Sequence, residues 1–243
     1  MNLLLFAPDE LAAPLPRGDA RAVHLLEVLR RLAGDSFDAG LVDGPRGKGT
    51  LVAIGPDPLT LTFTWGAPPP PLAPITLIVG LPRPQTARKI LHDATTLGVA
   101  AMHFVVTGKG EPGYAQSPLW HTGEWRRHLL AGAAQAFCTR LPAVTYGQAL
   151  SATLAALPAA TTRLALDNYE ATSSLGAALA LPGDRTPASV ALALGPERGW
   201  SASDRDDLRT AGFTLVHLGP RVLRVETATL AAVAIVKAQR GFF

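Results

Sequence analysis

The residues with the most chemical content lie near the end of the chain, in two short loops. The first, Gly195-Pro196-Glu197-Arg198-Gly199-Trp200-Ser201, follows the apolar run 191–194. Its glycines let backbone amides and carbonyls come close to a ligand, and Pro196 stiffens the turn. Ser201 with Asp204 is the acid variant of a capping box, so a helix starts directly after the loop. The second loop, Leu218-Gly219-Pro220-Arg221-Val222-Leu223-Arg224-Val225-Glu226-Thr227-Ala228, sets two arginines and a glutamate within six residues, between apolar positions. Read singly, each also suits an ordinary strand-to-helix connection with solvated charges. Two Gly-Pro turns at strand ends of one sheet predict a ligand site there.

Other chemistries lack their signatures. The chain has no Gly-x-Gly-x-x-Gly after a strand, no phosphate loop ending in Gly-Lys-Ser/Thr and no Gly-x-Ser-x-Gly elbow. His24, His92, His103, His121, His128 and His217 show no metal-ligand spacing, and Cys138 is the only cysteine, so neither a metal nor a disulfide is expected.

The elements that must position these loops follow from patterning. The proline run 68–74 marks a boundary, because its residues favour extended geometry and cannot donate ladder hydrogen bonds. Before it, Val23, Leu26, Leu29 and Leu32 recur at helical spacing, predicting a helix over 21–32 stopped by Gly34-Asp35. Residues 36–42, 50–54 and 59–65 read as short strands, so a small, mostly β domain is expected over 1–70. Over 74–243 the pattern alternates: strands at 75–81, 102–107, 164–167, 190–194 and 213–218, and helices at 87–97, 124–137, 173–181, 204–211 and 227–239. That alternation predicts an α/β domain with a parallel sheet covered on both faces, whose ligands gather beyond the carboxyl ends of the strands.

At 243 residues, 48% hydrophobic and 17% charged, the chain can bury a large core and leaves a charge-poor surface that fits an oligomer. The net charge of +3, with Arg far outnumbering Lys, suits phosphate recognition as well as plain genome bias. The apolar start is too short for a signal peptide, and no run reaches the roughly 18 residues of a membrane helix. A soluble, cytoplasmic protein with no membrane partner is expected.

Taken together, the two loops resemble the RsmE family, bacterial enzymes that methylate N3 of a uridine in 16S ribosomal RNA. The family pattern is roughly Gly-Pro-Glu-Gly-Gly-Phe-Ser, then a helix and a strand, then Leu-Gly-x-Arg-Ile/Val-Leu-Arg-Thr-Glu-Thr-Ala. Here it stands as 195–201 and 218–228 with matching spacing. His24-Leu25-Leu26-Glu27-Val28-Leu29-Arg30 is similar to the family's His-x-x-x-Val-Leu-Arg segment, and Leu81-Pro82 and Leu97-Gly98-Val99 also fit.

The resemblance implies a PUA-like RNA-binding β-barrel at the N-terminus, then a SPOUT-type α/β domain whose parallel sheet ends in a C-terminal trefoil knot. It further implies S-adenosylmethionine as cofactor, 16S rRNA or the small ribosomal subunit as partner, and a homodimer. Leu194, Gly195, Pro196, Glu197, Gly199, Leu218, Gly219 and Leu223 would line the cofactor site, with Leu166 and Asp167 at a third strand end. Arg224 would orient or stabilise the uracil, and Glu226 would act as a base or as the carboxylate that holds Arg224. Arg221 would contact phosphate, as would Arg17, Arg21, Arg30, Arg46 and Lys48 beside His24 in the N-terminal domain.

The chain departs from the family in places. Arg198 stands where a second glycine is usual, so a positive φ there would strain the loop. Val225 replaces Thr. Where the first helix usually reads Gln-Lys-Ala-Thr-Glu-Leu-Gly, this one has His92-Asp93-Ala94-Thr95-Thr96-Leu97-Gly98; where the second reads Glu-Ala-Ala-Glu-Gln-Ser, it has Ala131-Gly132-Ala133-Ala134-Gln135-Ala136. A non-catalytic RNA-binding relative, a SPOUT methyltransferase with another RNA target, or a small-molecule α/β enzyme for an anionic substrate are the alternatives.

Overall fold

The computed structural model describes residues 3–180 and 189–242, so Leu181 of the expected 173–181 helix lies outside the described residues. The chain divides into two compact units: Met1–Pro71 with Ala133–Leu141, and Leu72–Gly132 with Pro142–Phe243.

The first unit carries a four-stranded sheet of β1 (Leu4–Phe6), β2 (Ser36–Leu41), β3 (Arg46–Ile54) and β4 (Leu59–Trp65) in that order. β1 runs parallel to β2, and the other pairs are antiparallel. Phe6, Leu15, Leu25, Phe37, Leu51 and Leu59 form its core. β3 begins four residues earlier than the apolar pattern indicates, because its first half is Arg46-Gly47-Lys48-Gly49. A Cβ on Gly49 would stand 2.2 Å from the Phe37 ring, and one on Gly47 1.9 Å from the Thr64 carbonyl oxygen. The expected helix over 21–32 is shorter: α1 (Ala20–Val23) widens into a π-helical turn, His24–Val28, and Arg30 turns left-handed at φ 52°. The Arg31 N–H then closes the end on the Leu25 carbonyl at 2.9 Å. Leu32, read as a helical core position, is 70% exposed.

The segment 133–141 is tied into this unit by the Asp43 N–H on the Thr139 carbonyl (2.8 Å), the Thr139 hydroxyl on the Gly44 carbonyl (2.5 Å) and the Leu141 N–H on the Asp43 carboxylate (2.9 Å).

In the second unit seven parallel strands form one sheet in the order β7-β6-β5-β10-β8-β11-β9. They are β5 (Ala73–Gly80), β6 (Val99–Val106), β7 (Ala143–Ala149), β8 (Thr162–Leu166), β9 (Ser173–Ser174), β10 (Val190–Leu194) and β11 (Thr214–His217). Their connections carry α2 (Pro84–Thr96), α3 (Pro118–His121), α4 (Glu124–Gln135), α5 (Leu150–Ala155), α6 (Leu175–Ala180) and α7 (Ala202–Thr210), and α8 (Val225–Arg240) closes the unit. From β5 the chain steps outward through β6 and β7, then returns to β8 on the far side. β10 fills the gap, paired in parallel register with β5 and β8 and buried at every position. This reversal of strand order opens a crevice at the carboxyl ends of β5, β10, β8 and β11.

Arg21 is a structural group of the first unit. Its guanidinium binds Glu10 (2.7 Å), Asp19 (2.8 Å) and the Leu5 carbonyl (3.0 Å), which holds both carboxylates below their usual range. Because these carboxyls ionise more readily folded than unfolded, their contribution is complete above pH about 4.5 and is lost as pH falls through the lowered values. Arg21→Ala is expected to lower stability by about 1–2 kcal/mol near neutral pH, discounted for partial exposure. Denaturation series on the two proteins should converge as the pH drops toward 3.

Candidate active site

The strand-end crevice is a cleft of about 750 Å³, within the size range of cofactor pockets. The 195–201 loop forms its centre. Gly195 follows buried Leu194, and a Cβ on it would stand 3.0 Å from the Gly199 backbone, so the two arms of the loop touch only because position 195 is glycine. Gly199 takes φ 68°, and its N–H donates to the Pro196 carbonyl at 2.8 Å to close the turn. The left-handed residue is therefore the retained glycine. Arg198 has no positive φ, and the strain anticipated for it does not arise.

Three contacts fix this loop on the sheet. Pro196 sits against Gly80 at the end of β5, where a Cβ would meet the proline Cδ at 2.4 Å. Trp200, 1% exposed, donates its indole N–H to the Leu166 carbonyl at 2.9 Å, tying β10 to β8. Ser201 and Asp204 form the expected capping box, with the Asp204 carboxylate also receiving the Gly108 N–H at 3.1 Å. Gly80 and Gly108 do their work by lacking a side chain, and a glycine at a strand end carries no chemical signal in sequence.

Leu166, Leu218 and Leu223 line the cleft as expected. Asp167 lines it too, but its side chain is not free for a ligand. One oxygen accepts the Tyr169 and Glu170 N–H groups at 2.8 and 2.6 Å, and the other accepts the buried Arg205 guanidinium at 2.8 Å. Glu197 likewise binds the Arg83 N–H at 2.9 Å and fixes the start of α2. Gly219 is not among the lining residues. Its part is conformational, with φ 110° and an N–H on His217 Nδ1 at 3.1 Å.

Arg221, Arg224 and Glu226 all face this cleft. Arg224 is the N-cap residue of α8 and exposed, and its side chain makes no hydrogen bond among the described residues. Glu226, in the first turn of α8, is bonded to Lys89 Nζ at 3.2 Å and not to Arg224. Burial pushes the Glu226 carboxyl upward, but its own backbone N–H, Lys89 and the nearby charge of Arg224 outweigh that and hold it below the usual range. It is a carboxylate near neutral pH and a weak base.

Sequence reading missed Arg83, Gln85, Thr86 and Lys89, which enter the cleft from the first turns of α2, and Tyr169. Only the strand order, which sets β5 beside β10, brings α2 there. Asp93, at the family's lysine position, bonds His92 at 2.6 Å and does not line the cleft.

In the first unit the expected RNA contacts divide. Arg21 is held as described above, Lys48 pairs with Asp38 at 2.7 Å, and Arg17 and Arg46 each donate to a backbone carbonyl at 3.0 Å. His24 Nε2 is buried without a partner among the described residues. Arg30 is exposed, with no side-chain hydrogen bond among the described residues.

A parallel sheet with a glycine-built, cation-lined cleft at its switch point matches a known class: residues 68–237 match the family model of the RNA methyltransferase domain. Along nearly the whole chain the similarity is narrower. Ribosomal RNA small subunit methyltransferase E of Treponema pallidum is 34% identical over 98% of this chain and 91% of its own length. That of Synechocystis is 28% identical over 97% of this chain and 77% of its own. The chain belongs to the ribosomal RNA small subunit methyltransferase E family, the RsmE family. Solved structures share the fold: the Neisseria gonorrhoeae family member, crystallised with S-adenosyl methionine bound, at TM-score 0.74 with 23% identity and 97% of each chain covered, and a probable rRNA-methyltransferase from Porphyromonas gingivalis at 0.77, 21% and 99% of each.

Gly80→Ala is expected to drive Pro196 off the sheet. A stability loss of about 1–3 kcal/mol should appear in urea denaturation. Ligand affinity at the cleft should fall with it, as the turn beside Gly195 is displaced.

Proposed function

We propose that this chain transfers a methyl group from S-adenosylmethionine to N3 of a uridine in 16S ribosomal RNA. The observation that carries the reading is the cleft itself, where backbone-built walls meet a cationic rim. The cofactor fits that chemistry. Gly199, where a Cβ would meet only the Tyr169 ring at 3.7 Å, leaves room beside the loop, and Leu194, Pro196, Leu218 and Leu223 line the cleft with backbone carbonyls and apolar flanks, suited to an adenosine and a methionine tail. When bound, the cofactor supplies an electrophilic methyl carbon.

The chain's own residues do the rest. A uridine N3 carries a weakly acidic proton and is a poor nucleophile until that proton leaves. Arg224, exposed at the cleft and without a hydrogen bond among the described residues, orients the uracil and stabilises negative charge on its oxygens. Arg221 takes a flanking phosphate, and Arg30 adds salt-sensitive affinity from the first unit.

Three further features belong to this reading. The insertion of β10 between β5 and β8, followed by a chain that returns to pack α8 against α2, supports a trefoil knot. The mixed four-stranded sheet of the first unit supports a PUA-like RNA-binding domain. A charge-poor surface supports a homodimer. No described helix is long and apolar enough to cross a membrane, and no cluster of three metal-ligating side chains occurs among the described residues. An rRNA substrate supports a cytoplasmic location.

The test incubates the protein with labelled cofactor and small subunits from a strain lacking the modification. Label at a uridine N3 is expected. RNA binding without label would mark a non-catalytic relative, and no calorimetric binding of cofactor at millimolar concentration would overturn the reading. Arg224→Ala should reduce turnover by about 100-fold or more while cofactor affinity changes little.

A further inference from the structure

The three carboxylates that line the cleft are all engaged: Asp167 by two backbone N–H groups and Arg205, Glu197 by the Arg83 N–H, and Glu226 by Lys89. None of them is a free base. The remaining charges on the rim are cationic, so the reaction must be helped at the atoms that gain negative charge. Of these cations Lys89 has a property the exposed arginines lack, because a carboxylate within the cleft wall holds it. The Glu226 side chain is 14% exposed and lies on the first turn of a 16-residue helix, while Lys89 stems from the middle of α2, between buried Ala87, Ile90 and Leu91. Both ends of the pair are thus set by packed helices. An ammonium has three donors and the pair uses one, which leaves two for a ligand.

We infer that Lys89, positioned by Glu226, donates a hydrogen bond to a carbonyl oxygen of the target base and takes up the charge that appears there when the ring N–H is lost. This rests on the reading of the substrate as a uridine methylated at N3. The N3–H bond breaks and its proton goes to solvent. The electron pair stays on the ring, spread over the flanking oxygens, one of which faces Lys89. That pair then forms the bond to the methyl carbon as the carbon–sulfur bond breaks, and sulfur keeps the pair of the broken bond. Charge balances, since an anionic ring and a sulfonium become two neutral products. A donor fixed before the reaction is worth more than a mobile one, as no reorganisation is needed when charge develops. Glu226 is a positioning residue here and Lys89 a catalytic one.

The competing view is that the pair only ties α2 to α8. With Lys89 56% exposed, such a tie contributes little to stability, so the two views predict different behaviour. The other charged groups lining the cleft are Arg83 at the N-cap of α2, Asp167 after β8, Glu197 and Arg198 in the loop after β10, and Arg221 and Arg224 before α8; Arg88, next to Lys89 in α2, is bound to Glu124 of α4.

Lys89→Met should lower turnover by about 100-fold at neutral pH, with melting temperature and calorimetric cofactor affinity close to wild type. The deficit should shrink as the pH rises, because a base that ionises unaided needs the cation less. Lys89→Arg should recover part of the rate. Glu226→Gln should cost less than Lys89→Met and add little in the double variant, since it acts through Lys89. A readout without the cofactor is the ionisation of 5-fluorouridine in a substituted small-subunit rRNA fragment bound to the protein, followed by fluorine NMR. Wild type should lower the pKa of one bound base, and Lys89→Met should not. A Lys89→Met protein with wild-type turnover, a deficit that does not vary with pH, or a large loss of cofactor affinity would overturn the assignment while N3 label from wild type stands. Label from wild type at a position other than uridine N3 would overturn the substrate reading and this assignment together.

Discussion

Most of what the second unit does depends on one strand held on both sides. β10 is hydrogen-bonded to β5 and to β8 along its whole length, and all five of its residues are buried. A strand clamped in this way delivers its following loop to a fixed point, the centre of the crevice where strand order reverses. Pro196 against Gly80, Trp200 on the Leu166 carbonyl and the Asp204 cap then remove the remaining freedom of that loop. The cleft-lining backbone between them is held in place because its neighbours are packed, which is the condition for preorganised recognition.

The same arrangement explains the electrostatics. Carboxylates that look available in sequence are used to hold the scaffold. Asp167 caps the turn after β8, and Glu197 fixes the start of α2. The cations are left to line the cleft. A cleft whose acids are committed to structure and whose cations remain exposed carries a positive rim.

How much of this could be read from residues alone varied with the kind of signal. The alternation of strands and helices was legible because buried parallel strands are nearly continuous apolar runs, as in 190–194. The edge strand β7 was not, since Tyr146-Gly147-Gln148 lacks that pattern. Nor was the following short helix, α5. The helix at 21–32 was overread: its apolar spacing continues to Leu32, but the backbone leaves the helix once the π-helical turn hands over to Arg30. In the cleft, the motif loops were visible as sequence. The α2 contribution was not, because Lys89 and Arg83 reach the cleft only through strand order, which no local pattern encodes.

The segment 133–141 belongs to the first unit although more than sixty residues of the second precede it in the chain. On a ribosome, synthesis runs in one direction, so the N-terminal unit must wait for residue 141 before its last backbone bonds, such as those of Thr139 with Asp43 and Gly44, can form. By then β5, α2 and β6 have already emerged. The module that comes first in sequence is therefore completed only after the opening part of the second has been made, and the two units must share part of their folding schedule.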